Sequence, residues 1–268
     1  MRDLGLVGFW AGYFAARAAP LGRVGGSTVG AAFFNFAPEM VAAAVPGCWE
    51  VAEPQELIVV RAQAAAVALT EICSPESLQA AVGVLPLLRE VVASVDVAGR
   101  VMAGANHALW PAIDTALRVQ GVDPQLRAVV ELWQAATTLR EQRGDGHVAA
   151  LVVHGLGGCE AHVLAAATSG VPVEILRDNR GWSDEAWDAA ARSLRERGVI
   201  FPDATATPEG FALHEAIETM TDELAEHSFA PLSDHDANAM YSALHACARD
   251  VQASETLPFP NPMGLPRI

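Results

Sequence analysis

The sequence contains no lysine: all 17 of its basic residues are arginine. That absence excludes Schiff-base and pyridoxal-phosphate lysines, and it excludes the lysine-bearing phosphate loop of nucleotide hydrolases. Cationic charge is scarce as well. Against 32 acids the chain carries a net charge of −15, which opposes general affinity for DNA or anionic lipid. Aromatics make up only 6% of the residues. The four cysteines, Cys48, Cys73, Cys159 and Cys247, show neither zinc-knuckle nor CxxC spacing, so small buried thiols in a reducing cytoplasm are expected. Outside residues 4–16 no apolar run is long enough to span a membrane.

What is present is an alanine-rich chain of 268 residues, 51% hydrophobic. It can bury a sizeable core, and its composition suits packed helices. Residues 4–16 imitate a signal peptide, but Asp3 and two glycines spoil the pattern, and a buried helix over 4–19 is expected instead. Turn residues then separate helical periods: 27–36, 38–44, 54–72, and 78–98 with a kink at Pro86. Ser74 serves as cap before Pro75. Helices follow over 101–120, 124–142, 147–154 and 159–168. Ser183 caps a helix to Arg197, Thr207 caps one over 208–227, and a last helix covers 233–253. The proline-rich tail is either pinned or loose.

The densest chemistry lies in Arg143-Gly144-Asp145-Gly146-His147. In an enzyme His147 would be the general base or acid, Asp145 its orienter and Arg143 an anion clamp. The alternative is a structural joint: a helix stop, an Asp cap and a salt bridge. Tyr13 and Arg17 are one helical turn apart and can face one partner, an acid or an anionic ligand. Trp182 and Trp187 could wall a pocket or pack in the core. With Asn106 and His107, the residues Tyr13, Arg17 and Trp182 complete a candidate ligand site. A metal or haem at His147, or one shared by His107, His147 and His162, has no signature spacing. No motif indicates a cofactor. Gly155-x-Gly157-Gly158 joins two helices, so it is no dinucleotide fingerprint.

The stretch from Leu194-Arg195-Glu196-Arg197-Gly198-Val199-Ile200 through Ala206-Thr207-Pro208-Glu209-Gly210 resembles a winged helix of the MarR type over about residues 145–226. Tyr13-Phe14-Ala15-Ala16-Arg17-Ala18-Ala19-Pro20-Leu21-Gly22, Phe34-Asn35-Phe36-Ala37-Pro38, Leu139 to His147, Arg180-Gly181-Trp182 and Pro258-Phe259-Pro260-Asn261-Pro262-Met263-Gly264 resemble a poorly characterised helix-turn-helix, MarR-like family of high-GC bacteria. That family often has histidine where this chain has Gln142. The resemblance implies a mainly α protein: a helical bundle (1–142) packed on a winged-helix domain with a small β wing (143–230), and a C-terminal helix and tail (231–268). It also implies dimerisation; the helices 59–72 and 212–226 are long enough to pack at the domain junction or in a dimer. Two functions follow. One is a cytoplasmic small-molecule binder or cofactor-free acid–base enzyme, with its site around Arg143, Asp145 and His147. The other is a ligand-responsive regulator gripping duplex DNA through Arg192 and Arg195. The acidic first turn of the reading helix, Asp184 and Glu185, disfavours the second.

Overall fold

A computed structural model describes residues 5–6, 8–97, 126–261, 263, 265 and 267–268. The expected helix over 101–120, with Asn106 and His107, lies outside the described residues. The described chain is helical and contains no strand. Twelve α-helices are defined among these residues: α1 Phe9–Ala18, α2 Gly26–Ala32, α3 Pro38–Ala42, α4 Pro54–Ile72, α5 Pro75–Gly83, α6 Leu85–Val97, α7 Arg127–Val153, α8 Gly158–Ser169, α9 Val173–Arg180, α10 Asp184–Glu196, α11 Pro208–Glu226 and α12 Asp234–Ala253.

The strongest local signals hold. Ser74, Ser183 and Thr207 each accept a backbone N–H of their first turn, satisfying donors that a helix start leaves open. Glu53 and Glu56 form a capping box ahead of α4, with Pro54 in the first turn. The break between α5 and α6 falls at Val84, before Pro86, and bends the axis by 49°.

Three expectations need correction. The Arg143–His147 stretch does not interrupt a helix: α7 runs unbroken for 27 residues through both glycines and through the expected domain boundary at 143. Packing decides this. A Cβ on Gly146 would stand 3.2 Å from the Leu224 Cβ, so glycine lets α11 lie close against α7. An eight-residue helix, α9, intervenes where only a connection was expected. Pro172 opens it, Glu174 sits in its first turn, and Gly181 closes it in the left-handed region (φ 73°). Third, no β wing forms. The chain between α10 and α11 is a tight turn closed by a single antiparallel bridge, Ile200 to Ala206.

The first helix is shorter than expected and begins at Phe9, with Phe14, Ala15 and Ala18 fully buried. It belongs to an N-terminal core with Val29, Val41, Trp49 and Leu57. A second core gathers α8 to α11 around Leu164, Leu176, Trp187, Leu194 and Ile217. A third joins α5, α6 and α12 through Leu88, Val91 and Met240. Helix α7 runs among them, packing on α4, α5 and α6 and, further along, on α11. The tail is pinned: Ile268 N–H donates to Gln252, and Asn261 is buried. No single helix among the described residues is long and apolar enough to cross a membrane.

Candidate functional site

Charge is concentrated where the N-terminal helices meet α7, α8 and α9. On α1, Arg17 donates to the Tyr13 hydroxyl at 2.7 Å and to both Glu141 oxygens at 2.7 Å. The pair is nearly closed to solvent, with 12% and 9% of the two side chains exposed. Arg17 also lies over the Phe33 ring, 4.3 Å from its centre, a favourable cation–π arrangement. Its Nε is buried and meets no acceptor among the described residues. Burial pulls the Arg17 pKa down, but Tyr13 and Glu141 more than offset it, so the guanidinium stays charged.

Two more arginines converge on this group. Arg61 of α4 stacks on Trp133 at 4.9 Å and reaches towards the Ala16 carbonyl. Burial, then the charge of Arg17, push its pKa down to about 10. Arg180, the last residue of α9, lies 4.7 Å from the centre of the Phe36 ring. Its pKa is lowered mainly by burial and further by Arg17 and Arg140, while Tyr13 opposes the shift.

Between Phe34 and Phe36, the Asn35 carbonyl accepts hydrogen bonds from His162 Nε2 at 3.0 Å and from Trp182 Nε1 at 3.2 Å. The Asn35 side-chain oxygen is buried without a donor among the described residues. Burial, then Arg180, push His162 down to about 4; at neutral pH it is an uncharged imidazole donating through Nε2. Close backbone approach makes this junction. Ala37 N–H donates to the Arg180 carbonyl at 2.8 Å, and a Cβ on Gly158 would stand 2.2 Å from the Phe34 carbonyl oxygen. Helices α8 and α9 are therefore docked on residues 33–40.

The expected catalytic trio is arranged differently. Arg143 bonds Glu218 at 3.1 Å and Asp222 at 2.8 Å, both on α11. His147 Nδ1 lies 3.1 Å from the Thr221 hydroxyl, which itself donates to the Ile217 carbonyl. So His147 is the donor, through Nδ1. Glu218 lies a further 3.7 Å from the same nitrogen. Burial above all lowers the His147 pKa. Asp145 is buried but sits two residues from each, about 200° round the helix, so it does not face His147. Gln142 Nε2 donates to the Leu224 carbonyl. Arg143, His147 and Gln142 thus bind α11 to α7.

Of the residues expected to form one site, the structure brings together Tyr13 and Arg17, while Trp182 bonds the Asn35 carbonyl and packs against the second core. Arg143 and His147 lie on the α11 side, and Trp187 is in the second core. Sequence reasoning missed Arg61, Glu141, Arg180 and Asn35. The last three lie within phrases that had been singled out, but nothing local marks them as partners of Arg17 or His162. Among the described residues no group of three His, Cys, Asp or Glu could hold a metal ion.

The outer face of α10 is also defined. Asp184, Glu185 and Asp188 are exposed on its leading half, and Arg192 and Arg195 on its trailing half. Arg177 of α9 pairs with Asp184, and Arg197 donates to the carbonyls of His154 and Gly155.

No curated protein and no solved structure matches the chain. A family model does, over residues 1–258. It is the model of a helix-turn-helix family, and the protein belongs to that family.

Proposed function

We propose that this protein binds a small anionic molecule at the buried junction between its N-terminal helices and helices α7 to α9, with Arg17 as anchor. One observation carries the reading: a charged, nearly buried guanidinium held in place by Tyr13 and Glu141 whose Nε lacks an acceptor among the described residues. A buried donor left unmade is costly, and a carboxylate or phosphate oxygen would satisfy it. Arg61 and Arg180 are close enough for their charges to act on Arg17, which suits an anionic guest. The aromatic rings of Tyr13, Phe33 and Phe36 lie beside Arg17.

Binding or sequestration, not turnover, is the version the geometry favours. His147 is engaged with Thr221, and Asp145 does not orient it. The test is calorimetric titration with a panel of small aliphatic and aromatic carboxylates and phosphate monoesters. One class should bind with a dissociation constant below roughly 1 mM. Tyr13→Phe, which keeps the ring, should weaken it about tenfold, the value of one hydrogen bond to a charged group. Absence of heat from every member up to millimolar concentration overturns the reading.

A second reading is favoured by family membership: a ligand-responsive, MarR-like regulator that docks α10 in duplex DNA as a dimer, with Arg192 and Arg195 on phosphates. Both arginines are exposed on one helix, as that role needs. Its test is given with the charge of the whole molecule below.

A further inference from the structure

Cys73 and Cys247 are 174 positions apart in sequence, yet their sulfurs are 3.0 Å from each other. All four cysteines are free and buried, and this pair alone is brought sulfur to sulfur among the described residues. We infer that Cys73 and Cys247 form a site of reversible disulfide formation that ties the C-terminal helix to the joint between α4 and α5.

The surroundings fix the pair in register. Cys73 is the C-cap of α4: its backbone is extended (φ −79°, ψ 144°), while its N–H still donates to the Leu69 carbonyl at 2.9 Å. The next residue, Ser74, donates its backbone N–H to Asp250 of α12 at 2.9 Å. One turn before Asp250, Cys247 meets Cys73. The seam is therefore aligned by a bond that does not involve sulfur. A disulfide needs sulfurs about 2.05 Å apart. Closing the remaining gap of about 1 Å is within the reach of side-chain rotation at the two-residue joint Cys73–Ser74.

The oxidant is a low-molecular-weight disulfide. The Cys73 thiolate attacks one of its sulfurs, forming a mixed disulfide and expelling one thiolate. Cys247 then loses its proton and attacks the Cys73 sulfur, expelling the second. Two protein thiols are oxidised to one disulfide, and the small disulfide is reduced to two thiols. Burial, then the Cys73 partner, raise the Cys247 pKa to about 12, so the first attack falls to Cys73. Both cysteines are buried, and exchange is slow and proceeds through local opening at the end of α4.

The experiment equilibrates the full-length protein with graded mixtures of reduced and oxidised glutathione. Mild urea is included so that burial does not block exchange. Samples are acid-quenched, alkylated and mapped by mass spectrometry. The expected result is one cross-linked peptide pair joining Cys73 to Cys247, about 2 Da lighter than the dithiol, while Cys48 and Cys159 remain alkylated. The oxidised form should unfold roughly 5–10 °C higher than the reduced form. Cys247→Ser should abolish the cross-link. Complete alkylation of both cysteines at the most oxidising ratio overturns the inference. So does a glutathione adduct on Cys73 that never resolves, or an equal yield of other pairings.

Discussion

At the scale of single residues, the junction places polar groups where they do not simply add stability. Arg17 and Glu141 form a nearly buried ion pair, and such pairs gain little over apolar residues of similar size, because desolvation cancels the attraction. Breaking one partner is another matter. Arg17→Met or Glu141→Leu alone should lower unfolding free energy by about 3–5 kcal/mol, and the double variant should recover most of the loss. Urea unfolding of all four proteins checks this; a double variant as unstable as the sum of the singles would show that Arg17 and Glu141 do not act as a pair. Recovery with loss of anion binding would say that the pair serves the ligand. His162 gives a pH signature. Its folded pKa of about 4 lies below the ordinary 6.5, so the unfolded chain binds its proton first as pH falls. The stability linked to His162 is complete above pH 6.5, declines between 6.5 and 4, and is lost below 4. It amounts to up to about 3 kcal/mol. The difference in urea stability between wild type and His162→Asn should therefore shrink from pH 7.5 to pH 5. A constant difference would remove His162 from the acid response.

At the scale of elements, two glycines of one helical region predict opposite outcomes. Gly144 lies in the interior of α7, exposed, with nothing near a would-be Cβ. Gly144→Ala should stabilise the protein by about 0.5–1 kcal/mol, by restricting the unfolded chain and favouring the helix. Gly158 starts α8 with the Phe34 carbonyl 2.2 Å from where a Cβ would be. Gly158→Ala should destabilise by more than that gain, since backbone cannot yield as a side chain can. Thermal midpoints of both variants decide it; equal and opposite signs from those expected would mean that the docking of α8 on residues 33–40 is misdescribed. The same glycines show which elements could be read in the sequence. Ser74, Ser183 and Thr207 were legible because a cap is a local bond between residues three apart. The unbroken course of α7 was not, because two glycines within three residues look like a stop until Leu224 of α11 is known to press on Gly146. The helix α9 was hidden by its length: eight residues give barely two turns of periodicity, and only Pro172, Glu174 and Gly181 mark it. The Arg17–Glu141 contact spans 124 positions. The sequence could say that Arg17 needs a partner, but not which acid would supply it.

At the scale of the whole molecule, charge sets fold and function against each other. Family membership brings the expectation of DNA binding, yet the net charge is −15, and the leading half of α10 exposes Asp184, Glu185 and Asp188. Arg177, which could have met a phosphate, is paired with Asp184, and Arg197 is spent on the carbonyls that end α7. That leaves Arg192 and Arg195 on the trailing half, too far along the helix to approach the groove before the acids do. A duplex would meet repulsion first, and at low ionic strength this repulsion extends over roughly 30 Å, so it is felt by the whole acidic surface and not by α10 alone. Fluorescence anisotropy with labelled duplex DNA in about 10 mM salt gives phosphate contacts their best chance. The proposal of a buried anion site predicts no binding up to roughly 100 μM, weaker than ordinary nonspecific affinity. Tight binding that falls steeply with added salt, and whose salt slope drops by about one unit on Arg192→Ala or Arg195→Ala, would establish the regulator reading. In that event Arg180 and Trp182 acquire a further role. Both stand where α9 turns into α10 and also touch the junction through Phe36 and Asn35. An anion held by Arg17 would then be positioned to bias the angle of α10, and its affinity should change by the same factor as that of the DNA.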